Sequence, residues 1–404
     1  MVAHLARVLG PAHLDLAEET VQEAMLRALE TWPVQGVPEN AAAWLFRVAH
    51  NLAIDAVRRN RLASDKTAAV VAELARSAAA EPGDPHLEGE LRDDELRLIF
   101  MCCHPEIPQE AAIALSLKVA CGFSVREIAR AFLADDAAIA QRLVRAKRQI
   151  RERRLALELP AETEIRGRLD AVLGVLYFTF NEGYTAHQGD ELIRRDLCGE
   201  ALRLGQLIAS SSLGAPRVDA LVALMALQMA RSPARIDEAG DLVLLDDQDR
   251  SRWDQELITL GFHHFDRSIA GEEVSAYHVQ AAIAATHARA AAAESTDWGM
   301  ILELYDQLLE MNGSPVVALN RAVALAKVRG PAEALAAIEP LSADAKLREY
   351  YLLAAVKGHL LLELGRRDEA AACFRAALEC RCSEPERRFL RRKLAECHSF
   401  GAST

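Results

Sequence analysis

At 404 residues the chain is too long for one core and is expected to divide into two or three domains. Aromatic residues make up only 5%, Ala, Leu, Arg and Glu dominate, no stretch sustains period-two alternation and no eighteen apolar residues occur together, so an all-α chain without a membrane span is expected. The formal net charge is −12, so a one-sign basic block within it asks for a negatively charged partner.

The opening "MVAHLARVLGPAHLDLAEE" has no basic segment followed by a long apolar run. A cytoplasmic protein is therefore expected, with its eight scattered cysteines reduced. A first helical block runs from about Asp15 to Val71, inside a domain over 1–75, and is interrupted by "TWPVQGVPEN", whose two prolines and glycine predict a loop. In "DLAEETVQEAMLRALETW", Val21, Met25 and Leu29 form an apolar stripe. Asp15, Glu18, Glu19 and Gln22 form an acidic turn suited to a basic partner, or simply to compensating the helix dipole. In "AAAWLFRVAHNLAIDAVRRNR", Arg47, Asn51, Asp55 and Arg58 share one helix face that Trp44 begins and Arg59 adjoins, while Leu45, Ala49, Leu52 and Ala56 suit a core. Aromatic, amide and cation together fit single-stranded DNA; a salt-bridged surface is the alternative.

Residues 76–93 include "EPGDPHLEGE" and are expected to link to a second domain over 94–158. There Ser124-x-x-Glu127 is a capping box, "LADD" a short break, and "AAIAQRLVRAKRQIRER" a helix with Ile139, Leu143, Ala146 and Ile150 on one face. Two helices joined by a short turn, the second basic, make the helix-turn-helix pattern. Between Arg142 and Arg154 stand seven basic residues and one acid, Glu152, the sole partner that local spacing offers. Gln141, Arg142 and Arg145 are expected to face a major groove, with Lys147, Arg148 and Arg151 following phosphates. The turn, Leu133-Ala134-Asp135, lacks the glycine common in such motifs.

A larger helical domain is expected over 163–404, with breaks at "SSLGAPR", "GDLVLLDDQDRS" and "NGSP". Residues 161–404 hold 27 Lys+Arg against 36 Asp+Glu, whereas residues 1–160 hold 20 against 23. Over about 298–397 helix pairs recur: Gly330 to Gly365 is 35 residues and Ala334 to Ala370 is 36, close to the ~34-residue tetratricopeptide period. Gly358, Phe374 and Ala377 stand where that pattern packs small or aromatic residues. Asn181, Glu182, Tyr184 and His187 suggest a catalytic cluster, but a helix end turned by Gly183 accounts for them without a nucleophile–base pattern. Cys380-x-Cys382 with Cys397-His398 does not follow a standard zinc spacing, so no metal, cofactor or enzymatic activity is expected.

In order, "DLAEETVQEAML", "WLFRVAHNLAIDAVRR" and "FSVREIARAFLADDAAIAQRLVRAKRQIRE" resemble the two helical domains of extracytoplasmic-function sigma factors. "FMCCHPEIPQEAAIALSLKV", "NEGY" and "LLDDQDRSRWD" resemble the subgroup with a long, tetratricopeptide-like C-terminal domain. The resemblance implies a promoter-specificity subunit that binds core RNA polymerase through the β′ clamp and β flap, and promoter DNA. Asp15, Glu18, Glu19 and Gln22 would face polymerase, and Trp44, Arg47, Asn51, Asp55, Arg58 and Arg59 the melted minus-ten strand. The "PVQGVPEN" loop would capture a flipped base, and Gln141, Arg142, Arg145, Lys147 and Arg148 would meet the minus-thirty-five element. Only about 14 residues precede "DLAEE", where such proteins usually have a full helix. A built-in regulatory module, answering to a protein or small molecule, is implied for the C-terminal domain. The residues alone leave a second reading open, a helix-turn-helix regulator with a ligand- or partner-sensing helical array.

Overall fold

The computed structural model describes residues 1–9, 13–59, 95–153, 155, 162–184 and 193–398. The expected linker over 76–93, the helix continuing to Val71, and His187 lie outside them. Among the described residues the structure is helical, with one isolated antiparallel bridge between Ile236 and Leu242, in agreement with the all-α expectation. Two compact units, 1–175 and 176–404, divide within the helix Leu169–Tyr184.

The first unit begins with α1 (Val2–Leu9), α2 (Leu14–Gln35) and α3 (Ala41–Arg59), with α2 packed against both others. Alanines bring the helices close: Ala17, Ala24, Ala49 and Ala53 are buried beside Leu5, Leu14, Val21 and Phe46. Two expectations change here. The buried face of α3 runs through Phe46, Ala49, His50, Ala53 and Val57, and Leu45 and Leu52 sit half-buried at its edge. Of the apolar stripe on α2 only Val21 is buried; Met25 is exposed and Leu29 is 70% exposed, because the buried sector follows Ala24 and Ala28 instead. The expected loop at residue 31 is also shorter than the prolines suggest. Pro33 is accommodated in the last turn of α2, which ends at Gly36, φ 83°, with the Gly36 N–H donating to Trp32 O at 2.9 Å.

A second group of helices follows: α4 (residues 95–102), α5 (Gln109–Val119), α6 (Val125–Ala131) and α7 (Asp136–Arg153). Eight residues of α5 are buried, which makes it the central helix against which α6 and α7 pack. Arg168 donates to Phe100 O at 3.0 Å, and Gly174 lets the next long helix approach Ile113, whose Cδ1 would lie 2.8 Å from an added Cβ. Cys102 and Cys103 are buried there, and burial pushes the Cys103 thiol up to about 12.

In the second unit, α10 (Arg195–Ala209), α12 (Gln255–Ser268) and α13 (Ala276–Arg289) pack around α11 (Pro216–Met229), which is buried from Val218 to Leu227. The short helix α8 (Glu162–Arg166) and α9 (Leu169–Tyr184) precede them. Gly183 does not end a helix as expected. It lies in the last turn of α9, where an added Cβ would meet Cys198 Sγ and Leu197 Cβ at 2.9 Å, so its role is close approach to α10. The chain then forms α14 (Trp298–Asn312), α15 (Pro315–Arg329), α16 (Pro331–Ile338), α17 (Tyr351–Glu363), α18 (Arg367–Glu379) and α19 (Glu384–His398). Gly330 and Gly365 both turn with positive φ, 90° and 75°, so the spaced glycines mark equivalent turns. Phe374 is buried against Gly358, 3.0 Å from where a Cβ would stand.

Candidate nucleic-acid and polymerase interface

The turn that presents α7 is built locally. Ser124 Oγ accepts from the Glu127 N–H at 3.2 Å while Glu127 Oε2 accepts from the Ser124 N–H at 2.7 Å, which completes the capping box and fixes the start of α6. Leu133 takes the left-handed conformation, φ 49°, at the corner where a glycine is usual. Ile139, Leu143, Ala146 and Ile150 are all buried, as their spacing predicts. Gln141, Val144, Arg145 and Arg148 are therefore turned outward, and Val144 is 68% exposed. Arg145 donates to Gln141 Oε1 at 3.1 Å, so the pair stands as one polar unit.

The flanking cations are engaged. Arg142 pairs with Glu110 at 3.0 Å and lies over Phe132, 5.4 Å from the ring centre. Lys147 donates to Asp15 at 2.9 Å and also pairs with Glu18; the lysine side chain is 22% exposed and the glutamate 14%. Burial alone would lower the Lys147 ammonium, but Glu18 and Asp15 outweigh it and hold its pKa above the usual lysine value. Arg153 meets Glu106 and Arg148 approaches Glu152 at 3.8 Å. The expectation that Glu152 is the sole partner is thus corrected. Glu110, Glu106, Asp15 and Glu18 come from distant segments, which the local spacing of α7 does not reveal.

On α2, Glu19 and Gln22 are exposed beside the engaged Asp15 and Glu18, and Met25, Leu26 and Leu29 continue the exposed surface as an apolar patch, with Val34 and Val37 exposed further along the chain. Sequence reasoning missed this patch because the same i, i+4 spacing signals a core and an interface alike. On α3, Arg47, Asn51 and Asp55 are exposed in one line. Trp44 is half-buried, its ring edge-on to Trp32 at 5.6 Å. Asn40, unnoticed in the sequence, caps α3 by accepting from the Ala43 N–H at 3.0 Å. The Arg58 and Arg59 side chains lie outside the described residues.

Of the residues that suggest a catalytic cluster, Tyr184 is held in ring contacts. Tyr184 stacks on Phe180, and the Arg235 guanidinium lies 4.1 Å from the Tyr184 ring centre. Among the described residues no group of three or more metal-binding side chains is found, and no helix is long and apolar enough to cross a membrane.

Comparison with known proteins matches residues 1–63 to Sigma-70 region 2, residues 97–150 to Sigma-70 region 4, and residues 168–269 to a family of unknown function (DUF6596). An uncharacterized protein of Rhizobium meliloti (strain 1021) is 42% identical over 385 residues, which is 95% of this chain and 90% of that protein. No solved structure matches.

Proposed function

This chain belongs to the extracytoplasmic-function-like sigma factors, with an additional C-terminal helical domain, and from that premise we propose how its surfaces share the work of initiating transcription. As a sigma factor it binds core RNA polymerase and promoter DNA. Gln141 and Arg145 read base edges of the minus-thirty-five element, and Arg148 contacts the adjacent phosphates. Arg142 braces α7 through Glu110 and Phe132 rather than reading a base. Arg47, Asn51 and Asp55, continued along α3 by Arg58 and Arg59, meet the melted minus-ten strand beside Trp44, and the turn after Gly36 receives a flipped base. Asp15, Glu18, Glu19, Gln22 and the apolar patch of α2 dock on the β′ clamp, while the region 4 domain meets the β flap. The C-terminal helix pairs, read as a tetratricopeptide-like array, serve regulation by a protein or small molecule.

The observation that carries this reading is the outward face of Gln141, Arg145 and Arg148 on a helix whose Arg142, Lys147 and Arg153 are tied to carboxylates of distant segments. Lys147 adds a consequence. Bound to Asp15 and Glu18, it joins the DNA-reading helix to the polymerase-facing turn, so the free protein holds part of each surface against the other until polymerase separates them. Run-off transcription with purified full chain and core polymerase tests the assignment. Promoter-dependent transcripts that fall when Arg145→Ala is used are expected. Transcripts unaffected by Arg145→Ala would refute its reading role.

A further inference from the structure

Three buried nitrogen donors in the second unit lack an acceptor: Arg231 Nε, Arg250 Nε and Trp253 Nε1. An unpaired buried donor is costly, and more so when charged, so such atoms call for a partner. They are neighbours. The Arg231 guanidinium lies 5.7 Å and the Arg250 guanidinium 5.0 Å from the centre of the Trp253 ring, which is only 3% exposed. His287 Nδ1 is likewise buried and unpartnered, and its ring feels both arginines.

The two guanidiniums differ in use. Arg250 Nη1 donates to the His287 and Ala290 carbonyls at 2.7 Å and its Nη2 to Thr296 Oγ1 at 2.9 Å, so Arg250 ties the 250–253 turn to the end of α13. Arg231, just past α11, makes no side-chain hydrogen bond or ion pair among the described residues. The nearby carboxylates Asp246 and Glu294 favour the charge on Arg250, but neither forms an ion pair with either arginine. Asp246 is bound to Lys327 at 2.7 Å. The open acceptor of the same loop, Gln248 Oε1, is neutral and cannot serve three donors. Tyr305 stands within the field of Arg231 and keeps its proton, since burial pushes the hydroxyl up to about 12 against the pull of Arg231.

From the unpaired donors and the uncompensated charge we infer that Arg231, Arg250 and Trp253 form a binding site for an oxyanion, the carboxylate or phosphate group of a small molecule. Arg231 is the anchoring residue because its guanidinium is uncommitted, and charge-assisted bonds to an oxyanion are the strong kind that two adjacent cations favour. Binding would relieve the mutual repulsion of the arginines and supply the missing acceptors. A control of transcription by this ligand rests on the regulatory role proposed above for the domain; the binding itself does not.

The test uses the full chain titrated separately with sodium phosphate and sodium succinate, at ionic strength held constant with sodium chloride, read by calorimetry and by Tm. Saturable binding of at least one anion with a rise in Tm is expected, and which one binds tells phosphate from carboxylate. Arg231→Gln should leave Tm in chloride unchanged or raised, because an uncompensated charge is removed, while weakening the anion at least about tenfold. Absence of saturable binding by both anions would overturn the site. So would undiminished binding by Arg231→Gln, or a lowered Tm of that variant in chloride, which would make Arg231 a structural residue.

Discussion

The densest run of cations and a pair of cations without a carboxylate partner lie in different parts of this molecule. On α7, Arg142, Lys147 and Arg153 are met by Glu110, Asp15, Glu18 and Glu106, leaving Arg145 and Arg148 on the outward face. In the more acidic C-terminal domain, Arg231 and Arg250 share a buried neighbourhood with donors to spare. Local charge density therefore says little about which cations are available. Availability is set by what the fold brings opposite each one, and a paired cation contributes to architecture while an open one is ready for a ligand.

The sharpest way to break the comparison is to remove the outward-facing cations of α7. Arg145→Ala and Arg148→Ala should each weaken promoter binding by about 1–3 kcal/mol, Arg145 with relaxed preference at one base pair and Arg148 uniformly across sequences with a smaller salt slope. Gel-shift titration of the reconstituted holoenzyme on wild-type and mutated minus-thirty-five elements separates the two.

Buried histidines extend the comparison to groups that the fold keeps uncharged. His50 lies fully buried against Phe46, its ring Nδ1–H donating to Phe46 O over 3.0 Å, and burial lowers its pKa from 6.5 to about 4. As pH falls the unfolded chain takes up this proton first, so the stability is complete above pH 6.5 and is lost progressively down to about 4. At pH 5 His50 alone should cost about 2 kcal/mol. Denaturant unfolding of full chain and His50→Leu at pH 7 and pH 5 checks this, the variant showing the smaller pH dependence.

Asn51→Ala combined with Asp55→Ala should spare the closed complex but lower open complex about tenfold, or roughly 1.4 kcal/mol, because this exposed stripe would meet bases only after melting. Permanganate reactivity of minus-ten thymines reports the difference, and wild-type reactivity would remove the stripe from the mechanism. The smallest effect belongs to Arg142→Ala, whose exposed ion pair and ring contact should together be worth about 1 kcal/mol of stability, seen in thermal unfolding, with base preference unchanged.

Much of this was legible because helix periodicity is local. Ile139, Leu143, Ala146 and Ile150 were marked for the core by spacing, and the Ser124–Glu127 box by its pattern, and both stand as read. Periodicity identifies a face without identifying what covers it. Met25 and Leu29 accordingly looked like core and prove exposed, and Lys147 looked free although its carboxylates come from α2, far away in the chain. Leu133 also hides its role, since a left-handed turn is signalled by glycine and here is made by a residue that pays for the conformation in strain. The Arg231 neighbourhood was invisible for the same reason as the Lys147 contact: its members come from separate turns and meet only in the folded domain.

In the free protein the DNA-reading helix and the polymerase-facing turn are proposed to cover one another and to separate on polymerase. Spin labels on noncanonical side chains at Glu23 and Glu152 of the full chain, measured by pulsed dipolar spectroscopy, test that directly. A narrow distance distribution is expected in the free protein, shifting to longer distances with core RNA polymerase bound. An identical distribution in both states would contradict it.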